Sequence, residues 1–408
     1  MSITKNQHYV SEGILKHFAY SNKKTNEIYI PKKIVSKKEI SDTMSQNFVY
    51  EHPLLEKNSL EKSFAKIEDK VFPILDKLIT AIDTDKKNDC QHVSETIKVI
   101  LPLLLIFYFR SGALLNEYSF NSDTENLKLD RVERMLTNII DKQYLFGLSK
   151  TILNCYDMAV IVDDKKRFVI SDQYLSTVAL KYKNKFSNAS NRQIGMKETM
   201  LLLPLSAKYY VVFFSGNVPK YIQKNTFNYI DDSALQEIND IIYQNSYVKC
   251  VGISEEEINR LNEKDFSLFS PTKTIMKYED GTIADRITKR EVFIYDIDKD
   301  LEINSINYMN EYIVKIKGKV NRNDKCICGS GKKYKHCCMP KYERVKEIMN
   351  GIKNPKSVDY SIPNALRSED SITVFIGKEE DLNNEYDKEV LKKMEEIIRE
   401  NESRTIQL

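Results

Sequence analysis

Apolar residues fall at helical spacing along the first part of the chain and change to strand-like runs near Met158. Ile14, Leu15 and Phe18 mark a short amphipathic helix that begins near Ser11. Residues 27–30 and 33–35 are strand-like, with Pro31 between them. Leu60, Phe64, Ile67, Val71 and Leu78 form the buried stripe of a helix over residues 59–80. Ser59 suits its N-cap, and Pro73 predicts a kink or a split, because proline removes a rung of the hydrogen-bond ladder. Residues 93–118 read as one largely buried helix and residues 131–140 as another.

The second pattern is shorter in period. Residues 158–162 and 167–171 flank Asp163-Asp164-Lys165-Lys166, the signature of a hairpin. Residues 200–205 and 209–215 read as two further strands. Helices return over residues 233–243, where Ser233 and Gln236 form a capping box, and after Ser254, where Glu257 completes a second one. Residues 291–295 and 312–317 are strand-like and lead into a cysteine-rich stretch. In the tail, Val390, Leu391, Met394, Ile397 and Ile398 line one face of a helix over residues 384–400. That face predicts docking on the same chain or, as a homo-oligomer, on a second copy. The fold class that follows is α+β: a helical first half packed on a small, mostly antiparallel sheet, then a small cysteine-rich module and a C-terminal helix.

At 408 residues the chain is long enough for two or three domains. The divisions expected are 1–250, a connecting α/β segment 251–317, the cysteine-rich module 318–342 and a tail 343–408. The first ten residues are polar, with no apolar core of a signal peptide. The longest apolar run, 99–109, is too short to span a bilayer and is interrupted by Pro102. Cys90, Cys155 and Cys250 are scattered, as free thiols are in a reducing compartment. The expected location is therefore the cytoplasm. The net charge of +3 conceals an asymmetry. Residues 315–346 hold eleven Lys/Arg and two Asp/Glu, or +9, which leaves −6 for the rest (3 minus 9). A basic knob on a slightly acidic body can engage phosphate or an acidic protein surface.

That knob contains four of the seven cysteines within thirteen positions: Cys326-x-Cys328, then Cys337-Cys338 after an eight-residue loop. Two sulfur pairs joined by a glycine-containing turn can fold into a tetrahedral thiolate site, for which zinc is the best-matched metal. Such clustered spacing reads as a metal site rather than a disulfide knot. Gly329-Ser330-Gly331-Lys332 is not the end of a P-loop, which needs Gly at the place of Cys326 and Ser or Thr at the place of Lys333. The run Arg322-Asn323-Asp324, Cys-x-Cys-Gly-Ser-Gly-Lys-Lys-Tyr-Lys and the final Cys pair resembles the SEC-C motif, the zinc-binding tail of the SecA translocation ATPase. Lys325 and Ile327 stand where that motif has proline. The resemblance implies ligation by Cys326, Cys328, Cys337 and Cys338, with His336 the runner-up. It also implies a docking partner: nucleic acid or the ribosome, reached through Arg322, Lys332, Lys333 and Lys335, or an acidic protein.

The first 250 residues resemble a bacterial domain of unknown function, number four-two-three-eight, whose members open on His-Tyr-Val-Pro. Gln7-His8-Tyr9-Val10, Leu60-Glu61, Ile67-Glu68, Arg110, Phe168-Val169-Ile170-Ser171-Asp172, Pro204-Leu205-Ser206 and Asn239 carry the likeness. Ser11 replaces a proline of that pattern and Gln173 an asparagine. The resemblance implies a bacterial cytosolic protein and supplies no chemistry. From the residues themselves, His8 could be a general acid or base, Asp172 could orient it or hold a cation, and Arg110 could clamp an anion. Two functions are consistent with these features. One is a zinc-bearing binding protein. The other is a nucleic-acid-cleaving effector, as in phage defence, built on His8, Arg110 and Asp172. The second requires those three side chains to converge, with His8 and Asp172 as partners.

Overall fold

Strand β1 (Asn6–His8) opens the fold, and Ser11 caps helix α1 (Glu12–Leu15) by accepting the Gly13 N–H. The computed structural model describes residues 4–84, 89–117, 127–180, 186–187, 194–195, 199–264, 272–277, 283–290, 292, 294, 321–326, 330–340, 343 and 396. Strands β2 (Lys24–Tyr29) and β3 (Ile34–Glu39) pair antiparallel, and β4 (Ser45–Asn47) returns to pair with β1.

The helical half follows: α2 (Ser59–Thr84), α3 (Gln91–Phe109), α4 (Gly112–Glu117), α5 (Leu127–Ile140) and α6 (Lys142–Cys155). The stripe of α2 is buried as its spacing requires, from Leu60 to Ile82. Pro73 sits inside α2 without splitting it. Pro73 and Asp69, whose carbonyl loses its partner, are both exposed, so water can take the missing bond. α3 is long and apolar enough to cross a membrane, but every residue from 100 to 110 is buried inside the protein. The single helix expected over 93–118 is interrupted at Arg110, which has φ −90° and ψ 3°. There the Ala113 N–H is drawn to the carbonyl of Asp172 (3.0 Å). A side chain at Gly112 would put its Cβ 2.6 Å from the Tyr9 ring.

The remaining elements are β5 (Asp157–Val162), β6 (Val169–Ser171), β7 (Ser176–Ala179), β8 (Phe186–Ser187), β9 (Thr199–Pro204), β10 (Tyr209–Ser215), β11 (Phe227–Tyr229), α7 (Asp232–Asn245), β12 (Lys249–Gly252), α8 (Glu255–Glu263), β13 (Thr272–Lys277) and β14 (Ile283–Arg290). The central sheet has the order β11-β5-β10-β9-β7 and is antiparallel except where β11 meets β5. A second, antiparallel sheet runs β3-β2-β12-β6, so the start of the chain and residues near 250 share it. The fold is α+β, with a helical first half on small, mostly antiparallel sheets.

Two local expectations fail for stated reasons. The 158–171 hairpin does not form: β5 pairs with β10 and β11, while β6 pairs with β12. Asp163 binds Arg167 at its backbone N–H (2.7 Å), Nε (3.1 Å) and Nη2 (2.7 Å), which makes the loop a corner between two sheets. The N-cap of α7 is Asp231, which accepts the Ala234 N–H, rather than Ser233. The second capping site, Ser254 on Glu257 N–H, stands as expected.

Past the hairpin β13–β14, Val292 and Ile294 are buried in the main core and clasp β7: Ala179 N–H donates to Val292 O (2.8 Å) and Ile294 N–H to Ala179 O (3.0 Å). The strand expected over 312–317 lies outside the described residues. So does the 384–400 helix, except Glu396, which is helical and has its carboxylate 3.5 Å from Lys142 Nζ at the start of α6.

Candidate functional site

The cysteine-rich module is a short antiparallel turn. Cys326 N–H donates to Lys332 O (2.8 Å), Tyr334 N–H to Asp324 O (2.8 Å) and Lys335 N–H to Arg322 O (3.0 Å). Gly331 has φ +72°, the left-handed conformation that a glycine adopts without penalty. A single 3-10 turn, Tyr334–His336, then brings Cys337 and Cys338 back over Cys326. The Sγ atoms of Cys326, Cys337 and Cys338 all lie within 4.8 Å of one another, and those of Cys337 and Cys338 are 4.0 Å apart. Around a tetrahedral ion with metal–sulfur bonds of ~2.3 Å, sulfurs sit about 3.8 Å apart. The donor set therefore fits a metal. The core of the module is Cys326, Tyr334 and Cys338, with Cys337 and Met339 packed on it. A metal would cross-link so small a core.

Cys328, the fourth expected ligand, lies outside the described residues. His336 is exposed and is not part of the sulfur group. Arg322, Lys332 and Lys333 are exposed around the turn and Lys335 is half-buried. The sequence reading overlooked Ser330. Its Oγ is 3.1 Å from Cys337 Sγ and accepts the Lys332 N–H at 3.4 Å. A hydroxyl between two glycines beside a thiolate pair was the available signal.

The signature residues of the large domain meet at the junction of β1, the end of α3 and β6. The Tyr50 hydroxyl lies 3.1 Å from the His8 carbonyl and 3.2 Å from the Arg110 carbonyl, so one donor is shared between the two segments. Arg110 is 1% exposed. Its guanidinium stacks between the rings of Phe64 (4.6 Å) and Phe107 (4.9 Å) and pairs with Glu68. Burial alone would lower its pKa, but Glu68 holds the guanidinium above its ordinary value. Asp172 is also 1% exposed. Its carboxylate accepts the backbone N–H groups of Tyr247 (2.8 Å), Val248 (2.7 Å) and Lys249 (3.1 Å).

His8 and Asp172 do not pair. The His8 Nε2 lies 3.1 Å from Ile40 O and 3.7 Å from Glu12, while three amides fill the carboxylate of Asp172. Because a carbonyl can only accept, Nε2 carries the proton of His8. Burial lowers the His8 pKa, with Glu12 opposing. Burial raises that of the Glu61 carboxyl nearby. The other signature residues also serve as joints. Asn239 accepts the Val169 N–H (3.2 Å) and donates to Arg167 O (3.0 Å) and Glu257 (2.9 Å). Gln173 donates to Leu175 O and Asn245, both at 2.9 Å. Sequence reasoning missed buried Glu27, which pairs with Lys249 (3.1 Å) and Thr43, because nothing in a strand-like run marks an acid that faces inward.

The described residues comprise an α+β body laced with buried polar joints and a small cysteine knuckle whose donor set suggests metal binding. Residues 6–256 match the family model of the protein of unknown function DUF4238, so the chain belongs to that family. Residues 322–340 match the SEC-C motif. The chain is similar to the protein translocase subunit SecA of Borreliella burgdorferi (strain ZS7), at 28% identity over 134 residues, 29% of this chain and 14% of SecA. It thus spans about one-seventh of that relative. A UPF0225 protein of Shewanella sp. (strain ANA-3) is 26% identical over 130 residues, 32% of this chain and 73% of that protein. No solved structure matches the chain.

Proposed function

We propose that the C-terminal knuckle holds one zinc ion and docks the chain onto nucleic acid, ribosomal RNA included. The observation that carries this is the packing of three cysteine sulfurs within 4.8 Å beneath exposed Arg322, Lys332 and Lys333. Zinc suits a thiolate site because it is redox-inert and prefers four-coordinate sulfur. Cys328 is the fourth ligand in this reading, and the reducing cytoplasm keeps all four thiols available. Four thiolates around Zn²⁺ leave a charge of about −2, which the surrounding lysines offset while the outer cations remain free for phosphate. Residues 318–342 are then the docking module and the large domain its scaffold.

Phosphodiester cleavage by His8, Arg110 and Asp172 is not the reading we adopt. Asp172 already satisfies three amides and Arg110 already has Glu68, and both are 1% exposed. Those partners support structural roles.

The test uses the full chain. Elemental analysis should give one zinc per chain, and fluorescence anisotropy should give salt-dependent binding to single-stranded RNA. Lys332→Glu combined with Lys333→Glu should weaken that binding and flatten the logarithmic salt dependence by about 1.4, at ~0.7 per lost phosphate contact. Zinc-free protein, or equal RNA affinity in the variant, overturns the proposal. Binding to an acidic polypeptide but not to RNA would reassign the partner class.

A further inference from the structure

The three described sulfurs differ in exposure. Cys326 and Cys338 are 4% and 3% exposed, while Cys337 is only half-buried. A metal-bound thiolate open to solvent is the one that electrophiles, oxidants and protons reach first, because the thiolate is the nucleophilic form. The half-buried sulfur has a hydroxyl against it, Ser330 Oγ at 3.1 Å. The same oxygen accepts the Lys332 N–H at 3.4 Å. A serine hydroxyl has one proton to give, and a thiolate can only accept. Once a metal has deprotonated Cys337, the bond therefore runs in one direction, from Lys332 N–H to Ser330 O–H to Cys337 S⁻. An amide that donates to the oxygen polarises the hydroxyl and strengthens its donation to sulfur.

We propose that Ser330 is a positioning residue for the zinc site: its hydroxyl stabilises the Cys337 thiolate and lowers the reactivity of the most accessible of the three described ligands. The inference rests on the zinc reading above and deepens it. Hydrogen bonds from outside the ligand set orient metal ligands, and their loss typically costs about 10- to 100-fold in metal affinity. Electron density withdrawn from sulfur also lowers its nucleophilicity toward carbon electrophiles. Ser330 thus bears on how long the knuckle keeps its metal, independently of what the basic rim binds.

The experiment compares wild type, Ser330→Ala and Ser330→Thr as zinc-loaded full chains. Zinc affinity is measured by competition with a chromophoric chelator. Alkylation by iodoacetamide is followed by mass spectrometry at each cysteine. Ser330→Ala should bind zinc about tenfold more weakly, and its Cys337 should alkylate several-fold faster with Cys326 and Cys338 little changed. Ser330→Thr keeps a hydroxyl and should restore both values. Cobalt substitution supplies the control for folding: the tetrahedral d–d bands should persist in Ser330→Ala while the sulfur-to-cobalt charge-transfer band moves to lower energy. Equal affinity and equal Cys337 alkylation in wild type and Ser330→Ala overturn the proposal. So does a rate increase spread evenly over all the cysteines. A wild type that binds no zinc fails the underlying reading instead, and the two failures are told apart in the first measurement.

Discussion

Replacing Asp172 with Asn separates a structural from a chemical role for the most buried acid of the signature. The carboxylate receives N–H groups at 2.8, 2.7 and 3.1 Å from three successive residues at the entry to β12. If the amide oxygen of Asn takes the place of Oδ2, it still accepts from Val248 and Lys249, but as a neutral group. Charge-assisted bonds are roughly twice as strong as neutral ones, so those two lose about 1 kcal/mol each. The amide nitrogen then faces the Tyr247 N–H, donor against donor, and a buried unsatisfied donor costs about 1–3 kcal/mol. The expected loss is about 3–5 kcal/mol by this sum, a large share of the ~5–15 kcal/mol stability of a typical domain. Urea unfolding followed by tyrosine fluorescence will read it, since the chain has 24 tyrosines and no tryptophan. The midpoint should fall with the m-value unchanged, and zinc content should stay at the wild-type level. A variant with the wild-type midpoint would refute the anchoring role and return Asp172 to the chemical candidates.

Arg110→Ala removes a large, fully buried side chain from between Phe64 and Phe107 and leaves Glu68 without this partner. It should cost about 3–5 kcal/mol in the same unfolding assay. Arg110→Met should recover at least half of that, because Glu68 is 26% exposed and can rehydrate. Stability should also depend on pH through the histidines. Burial holds His8 and His17 below their ordinary value of 6.5, against opposing Glu12 and Asp76 respectively. As pH falls through 6.5 the unfolded chain takes up these protons first, so stability is lost between that value and the lower folded values and is unaffected above it. A thermal midpoint that does not decline in that window, or a decline that His8→Gln fails to reduce, would contradict this.

Local pattern was sufficient wherever an element answers to its own residues. The stripe of α2, the start of α1 at Ser11, the Ser254 cap and the strands β9 and β10 all depend on residues a few positions away. The four-cysteine spacing did the same for the knuckle, where Cys326, Cys337 and Cys338 meet. What sequence could not give is decided at long range. β6 looks like the second arm of a hairpin, yet its partner is β12, with Ser171 opposite Cys250. The break at Arg110 is set by an amide seeking the Asp172 carbonyl, which no helical periodicity reveals. The polar signature residues read equally as reactive groups and as anchors in sequence, because a buried anchor and a catalytic acid use the same side chains. Their partners bear on the choice, and for Asp172 those partners are distant backbone amides at positions 247–249.

The clasp of Val292 and Ile294 on β7 bears on how this protein can be cut. The family match stops at residue 256, but the sheet gains a further rung almost forty positions later. A fragment ending at the family limit would leave β7 as a bare edge whose four residues are all buried in the intact chain. Unpaired edges of that kind recruit strands from other molecules. Such a fragment is therefore prone to self-association through β7, and an oligomer seen with it would report the missing rung rather than an assembly of the full chain.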